Sequence, residues 1–140
     1  MGVNKLIAIL LSAVVLVGCQ SPDPVKNASP ELQRQYNAAF QDMLDKPGNL
    51  EVALNYAKVA TKVGDLEGAV STYEGMLIID PKLSRVQLEL GVLYYRLKSY
   101  EVARTYLEMA LQSPTLKADL RKPAEELLAK MPKQSKSRGS

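Results

Sequence analysis

The sequence predicts an all-α fold built from antiparallel helix-turn-helix repeats, and three observations carry that prediction. A block of residues recurs at a fixed offset of 34: Gly64, Asp65, Leu66 and Glu67, with Ala69, Tyr73, Leu77 and Pro81, answer to Lys98, Ser99, Tyr100 and Glu101, with Ala103, Leu107 and Leu111. Upstream, Tyr56, Ala57 and Ala60 fall by the same offset onto Leu90, Gly91 and Tyr94. A period of this length marks units of two helices that stack on their neighbours. The second observation is apolar spacing of three and four residues, which gives a helix one buried face. The third is that no strand pattern is evident.

Each element can be justified in order. Residues 50–83 and 84–117 form two repeats, each an antiparallel helix pair. Small residues sit where the helices cross: Ala69 and Ala103 on the second helices, Ala57 and Gly91 on the first. Bulk at these points would force the pair apart. Gly64-Asp65 suits the turn inside the first repeat, because glycine takes positive φ cheaply and aspartate caps the helix that follows.

The pattern resembles the tetratricopeptide repeat. The large-small pair of that family's first helix is met by Tyr56-Ala57 and Leu90-Gly91, its first-helix aromatic by Tyr94, and its small residue early in the second helix by Ala69 and Ala103. The following aromatic is met by Tyr73, with Leu107 in the second copy, and the closing Asp-Pro by Asp80-Pro81. The second copy ends early at Ser113-Pro114, and Ala53 and Gln87 stand where the family usually has tryptophan. Together the copies cover about half of the chain.

Before the repeats, Ser29-Pro30-Glu31 offers an N-cap and a proline at the first helical position. Leu32, Tyr36, Ala39, Phe40 and Met43 continue at helical spacing to about Leu44. Pro47 precedes Pro81 by 34 residues, so this helix reads as the worn second half of an earlier repeat, with Gln35 where the small residue belongs. After the repeats, a helix over 116–131, with Pro123 as start or kink, brings Leu120, Leu127, Leu128 and Met131 to cover the exposed end of the array. The domain thus runs over 30–131.

The chain ends carry different signals. Leu6 to Val17 is an uncharged run of twelve residues. That is short of the roughly 20 a spanning helix needs and within the range of a secretory signal. Residues 1–18 therefore read as a signal peptide. Leu16-Val17-Gly18-Cys19 resembles the bacterial lipobox, which implies cleavage before Cys19 and lipid attachment there. Cys19 is the only cysteine, so no disulfide forms within one chain. In that class Gln20 after the cysteine implies sorting to the outer membrane, which places the protein on its periplasmic face. Residues 19–29, with Ser21, Pro22, Asp23, Pro24 and Asn27, read as an extended tether of roughly 30 Å. Residues 132–140, with Lys133, Lys136 and Arg138, read as a disordered basic tail.

Chemistry is scarce. Histidine is absent, which removes the commonest general base and metal ligand. Carboxylates such as Glu67, Glu101, Glu125 and Glu126 stand at turn or helix-start positions, where they complement the helix dipole. The net charge of +3 becomes near neutral once Lys130 and the tail are set aside, which argues against a nucleic-acid surface. The sequence therefore predicts no enzyme, no cofactor, no metal and no small-molecule substrate.

What remains is a binding module. On the face of the first helices away from the packed residues Gln87, Leu90, Gly91 and Tyr94 stand Arg85, Leu88, Val92, Tyr95 and Arg96. In the first copy the same face carries Glu51, Leu54, Lys58, Thr61 and Lys62. The resemblance implies that this face lines a groove for a protein or peptide partner. The basic flanks Lys58, Lys62, Arg85 and Arg96 suit a segment with apolar anchors and acidic neighbours. The family's clamp for a terminal carboxylate is missing. Two further readings stay open. A flanking helix, Glu31 to Leu44 or the one near Leu127, fills the groove and makes Leu88, Val92 and Tyr95 ordinary core. Alternatively, the chain is a shortened relative of the repeat-bearing front of a larger outer-membrane assembly or export protein.

Overall fold

In a computed structural model the described residues are 24–132. The signal peptide, Cys19 and residues 133–140 lie outside them. The described chain is all helix: α1 Pro24–Asn27, α2 Pro30–Asp45, α3 Leu50–Val63, α4 Leu66–Ile79, α5 Ser84–Arg96, α6 Tyr100–Gln112 and α7 Ala118–Lys130. Each long helix packs on the next in sequence. The period governs the helix boundaries as well as the residues, since α3, α5 and α7 begin at 50, 84 and 118, and α4 and α6 at 66 and 100. The last helix therefore enters at the position of a third first helix. It does more than cover an end, because it extends the array in phase.

Burial repeats with the same offset. Tyr56, Leu90 and Ala124 are all buried, as are Ala57 and Gly91, Ala69 and Ala103, Tyr73 and Leu107, and Met76 and Ala110. In α2 the one buried residue is Ala39, which precedes Tyr73 by that offset, so the helix keeps the register of a second helix although its sequence has drifted. The core divides in two. One cluster gathers α2 to α5 around Tyr56, Ala60, Tyr73 and Leu90, and the other gathers α5 to α7 around Leu88, Leu107, Leu116, Ala124 and Met131. Helix α5 belongs to both. Burying a leucine such as Leu90 or Leu107 completely contributes about 1.5–3 kcal/mol.

Caps and turns fix the helix ends. Ser29 accepts from the Leu32 amide and Asn49 from the Val52 amide, each capping an N-terminus. Gly64, at φ 92°, closes α3 in the left-handed region, and its N–H reaches the Ala60 carbonyl. Asp65 then caps α4 by accepting from the Gly68 amide at 2.9 Å. Its other carboxylate oxygen takes the Tyr36 hydroxyl at 2.7 Å, which ties α2 to this turn. In the second repeat Lys98 holds the left-handed position at φ 60°. Any residue but glycine pays strain there. Pro123 lies inside α7, so it is neither a start nor a stop.

The extended tether is corrected at its distal half. Residues 24–27 form a helical turn, and Gln33 donates to the carbonyls of Lys26 and Ala28, which folds this stretch back onto α2. Pro24 lies against the α3–α4 turn: a Cβ on Gly64 would stand 3.4 Å from its own Cβ. The apolar side of Pro24 and Val25 meets the domain, a contact that short periodicity in a proline-rich stretch does not announce.

Candidate protein-binding groove

Helices α3 and α5 and the loop before α7 enclose a groove of about 760 Å³. Leu54, Lys58 and Lys62 recur at four-residue spacing along α3 and so share one wall. Arg85 and Glu89 of α5 form the opposite wall. Tyr73 of α4 reaches the floor, and Thr115, Lys117 and Leu120 close the far side. Ser84, buried at the start of α5, exchanges a 2.9 Å hydrogen bond with Thr115, which holds the closing loop against the array.

The charges do not balance. Arg85 is satisfied by Glu89, its Nε donating at 2.7 Å. Lys58 and Lys62 are exposed on the rim, Lys117 faces them across it, and Glu51 is the remaining acid of the lining. Four cations against two carboxylates leave the groove at +2. Around it the tyrosines are held neutral. Burial raises the pKa of Tyr73, with Glu89 adding to the effect, and Tyr36 is raised by burial and by its bonds to Tyr56 and Asp65.

The structure brings together half of the predicted face. Leu54, Lys58, Lys62 and Arg85 line one groove with Glu51 and Thr61, whereas Leu88, Val92, Tyr95 and Arg96 do not. Leu88 is 7% exposed and belongs to the core shared with α7, and Tyr95 packs against that core and edge-on to Tyr100 at 5.6 Å. Val92 is half-buried and Arg96 is exposed at the end of α5. The correction has a simple cause. Since α7 enters the array in phase, its Leu120, Leu127 and Leu128 cover the flank of α5 that would otherwise stand open.

Several participants escaped sequence reasoning. Thr115, Lys117 and Leu120 belong to a segment taken as a plain cover, and placing Ala118 in phase with Ser84 would have put them at the groove. Gln87 and Arg121, in the same register position, replace the family's large aromatic by reaching backbone carbonyls. Gln87 donates to Pro81 O at 2.7 Å, and Arg121 donates to Leu111 O and Ser113 O at 2.7 and 2.6 Å. Each secures the loop between one repeat and the next.

Beside the groove, Tyr94 bridges α5 to α4, its hydroxyl donating to Glu74 at 2.6 Å while its ring stacks on Tyr106. That bond, with partial burial, pushes the Tyr94 pKa up to about 12. An unfolded tyrosine titrates near 10. The stability Tyr94 contributes is therefore fully present below about pH 10 and is lost as pH rises from there to about 12, because the unfolded chain loses its proton first. Tyr94→Phe is expected to cost about 1 kcal/mol at neutral pH and to flatten the alkaline decline, which denaturant melts at pH 7, 10 and 11 check.

No helix among the described residues is long and apolar enough to cross a membrane, and none of their side chains cluster to hold a metal ion. No protein-family model matches the chain, and no curated protein matches it either.

Proposed function

We propose that this protein is a membrane-tethered adaptor of the tetratricopeptide-repeat type, anchored in the bacterial envelope through a lipid on Cys19, which captures a protein segment in the groove between α3 and α5. The observation that supports it best is the groove itself: apolar contacts at Leu50, Leu54 and Leu120 lie between rims that carry excess positive charge. A groove of that kind favours a segment whose leucine-like side chains are flanked by aspartate or glutamate. The partner's apolar side chains supply affinity, and the lysines steer and select. The 34-residue period and the small residues at the helix crossings support the family. The apolar run before Leu16-Val17-Gly18-Cys19 supports the anchor and the periplasmic face of the outer membrane as the place of action.

The test is a panel of synthetic peptides with two leucine anchors and a graded number of flanking glutamates, titrated against the protein and its Lys58→Glu/Lys62→Glu variant. Affinity is expected to rise with glutamate content and to fall at least tenfold in the variant. Both lysines are exposed, so the melting temperature should hold. Equal binding of all peptides by both proteins, or no binding by either, would overturn the reading.

A further inference from the structure

Both ends of the described chain emerge from the same end of the helix stack. Pro24 lies against the α3–α4 turn at Gly64, and the carbonyl of Pro132 accepts from Arg104 in the first half of α6. The same end carries the α5–α6 turn, because Lys98 stands 34 residues after Gly64. Exposed cations gather there: Lys62 at the end of α3, Arg96 and Lys98 at the end of α5, and Lys130 at the end of α7. Asp65 on this end is engaged by Tyr36 and the Gly68 amide, which leaves Glu67 and Glu101 as the acids of its turns. The sequence beyond Pro132 adds Lys133, Lys136 and Arg138 with no acid. Between Arg96 and Lys98, Leu97 is 40% exposed.

Lys98 occupies a left-handed backbone position that the first repeat gives to glycine. A lysine tolerated in strain at an exposed turn points to a use for its charge. From Cys19 to Pro24 the chain advances five residues, at most about 17 Å when fully extended. A lipid on Cys19 would hold this end of the domain beside the membrane at high effective concentration.

We propose that the end formed by the α3–α4 and α5–α6 turns docks on anionic phospholipid headgroups, with Leu97 entering the interface between Arg96 and Lys98. The inference rests on the reading of Cys19 as the lipid anchor. Docking sets the stack upright on the membrane and turns the groove sideways, open to partners that move along the surface. The attraction is electrostatic and so falls with salt and with the loss of anionic lipid.

The chain contains no tryptophan, so a single introduced one reports its own surroundings. The acylated full chain carrying Leu97→Trp is placed on phosphatidylcholine vesicles with and without phosphatidylglycerol. Expected is a blue shift and quenching by brominated acyl chains on the anionic vesicles only, reversed by high salt and abolished by adding Arg96→Glu and Lys98→Glu. Ile79→Trp, at the opposite end of α4 where Ile79 is 77% exposed, should keep the emission of a solvated indole on both. Lys98→Gly should raise the melting temperature while weakening the shift at Leu97→Trp, which separates charge from fold. An acylated chain in which the two tryptophan reporters behave alike, or respond equally to neutral vesicles, overturns the docking and leaves the anchor standing. A mature chain whose intact mass carries no acyl groups, or a Cys19→Ala protein that still carries them, overturns the anchor and the docking with it.

Discussion

Gly91→Val is expected to destabilise the domain by about 3 kcal/mol and to lower its melting temperature by roughly 10 °C or more. A Cβ at Gly91 would stand 2.6 Å from Leu107 Cγ, 2.8 Å from Leu107 Cδ2 and 3.2 Å from the Ala103 carbonyl oxygen. Leu107 has nowhere to retreat, because it is fully buried, and the carbonyl is part of a helix that Ala103, also fully buried, lets approach. Relief therefore requires α5 and α6 to separate. Since α5 belongs to both clusters, that movement reaches the whole array. Gly75→Ala supplies the opposite sign: nothing lies within 4 Å of a Cβ there, so the alanine should stabilise α4 by about 0.5–1 kcal/mol. Thermal melts of the two variants beside the wild type decide the matter. If valine at 91 is tolerated with an unchanged midpoint, the close crossing of α5 and α6 is wrong.

Gly91 also shows what was legible in the sequence. Its partner at offset 34 is Ala57, and the spacing of small residues on facing helices specifies a close crossing wherever the period is recognised. Turn chemistry was equally plain at Gly64-Asp65, where the left-handed φ and the N-cap both appear. The fate of Leu88 and Tyr95 was less plain. A helical wheel gives their direction from the axis of α5, but whether that direction meets water depends on where α7 lies. Local apolar spacing cannot fix that position. The global period could, since Ala118 follows Ser84 by 34 residues, but Pro123 and the polar start of α7 disguise the third unit. Residues 24–27 failed for another reason. Four residues with two apolar side chains have no period to detect, and their helical turn depends on Gln33 and Gly64 lying nearby.

The same dependence on a distant partner sets the second large effect, at Asp65. Its Oδ1 caps α4 through the Gly68 amide at 2.9 Å, and its Oδ2 accepts the Tyr36 hydroxyl at 2.7 Å, with the Tyr56 hydroxyl 3.5 Å away. The two hydroxyls lie 3.1 Å apart. Three helices thus converge on one carboxylate: α4 through its cap, α2 through Tyr36 and α3 through Tyr56. Asp65→Ala removes the cap at about 1 kcal/mol and strips a partly buried tyrosine pair of its acceptor at about 1–2 kcal/mol more. The sum is expected at about 2–3 kcal/mol, seen as a lower denaturant midpoint. Asp65→Asn keeps an oxygen for the amide and should recover most of the cap, but it weakens the bond to Tyr36 by replacing a charged acceptor with a neutral one. A cycle with Tyr36→Phe isolates that second part. On the Tyr36→Phe background the cost of Asp65→Asn should nearly vanish, whereas an equal cost on both backgrounds would show that α2 is held to the repeats by apolar contact alone and that the carboxylate serves only as a cap.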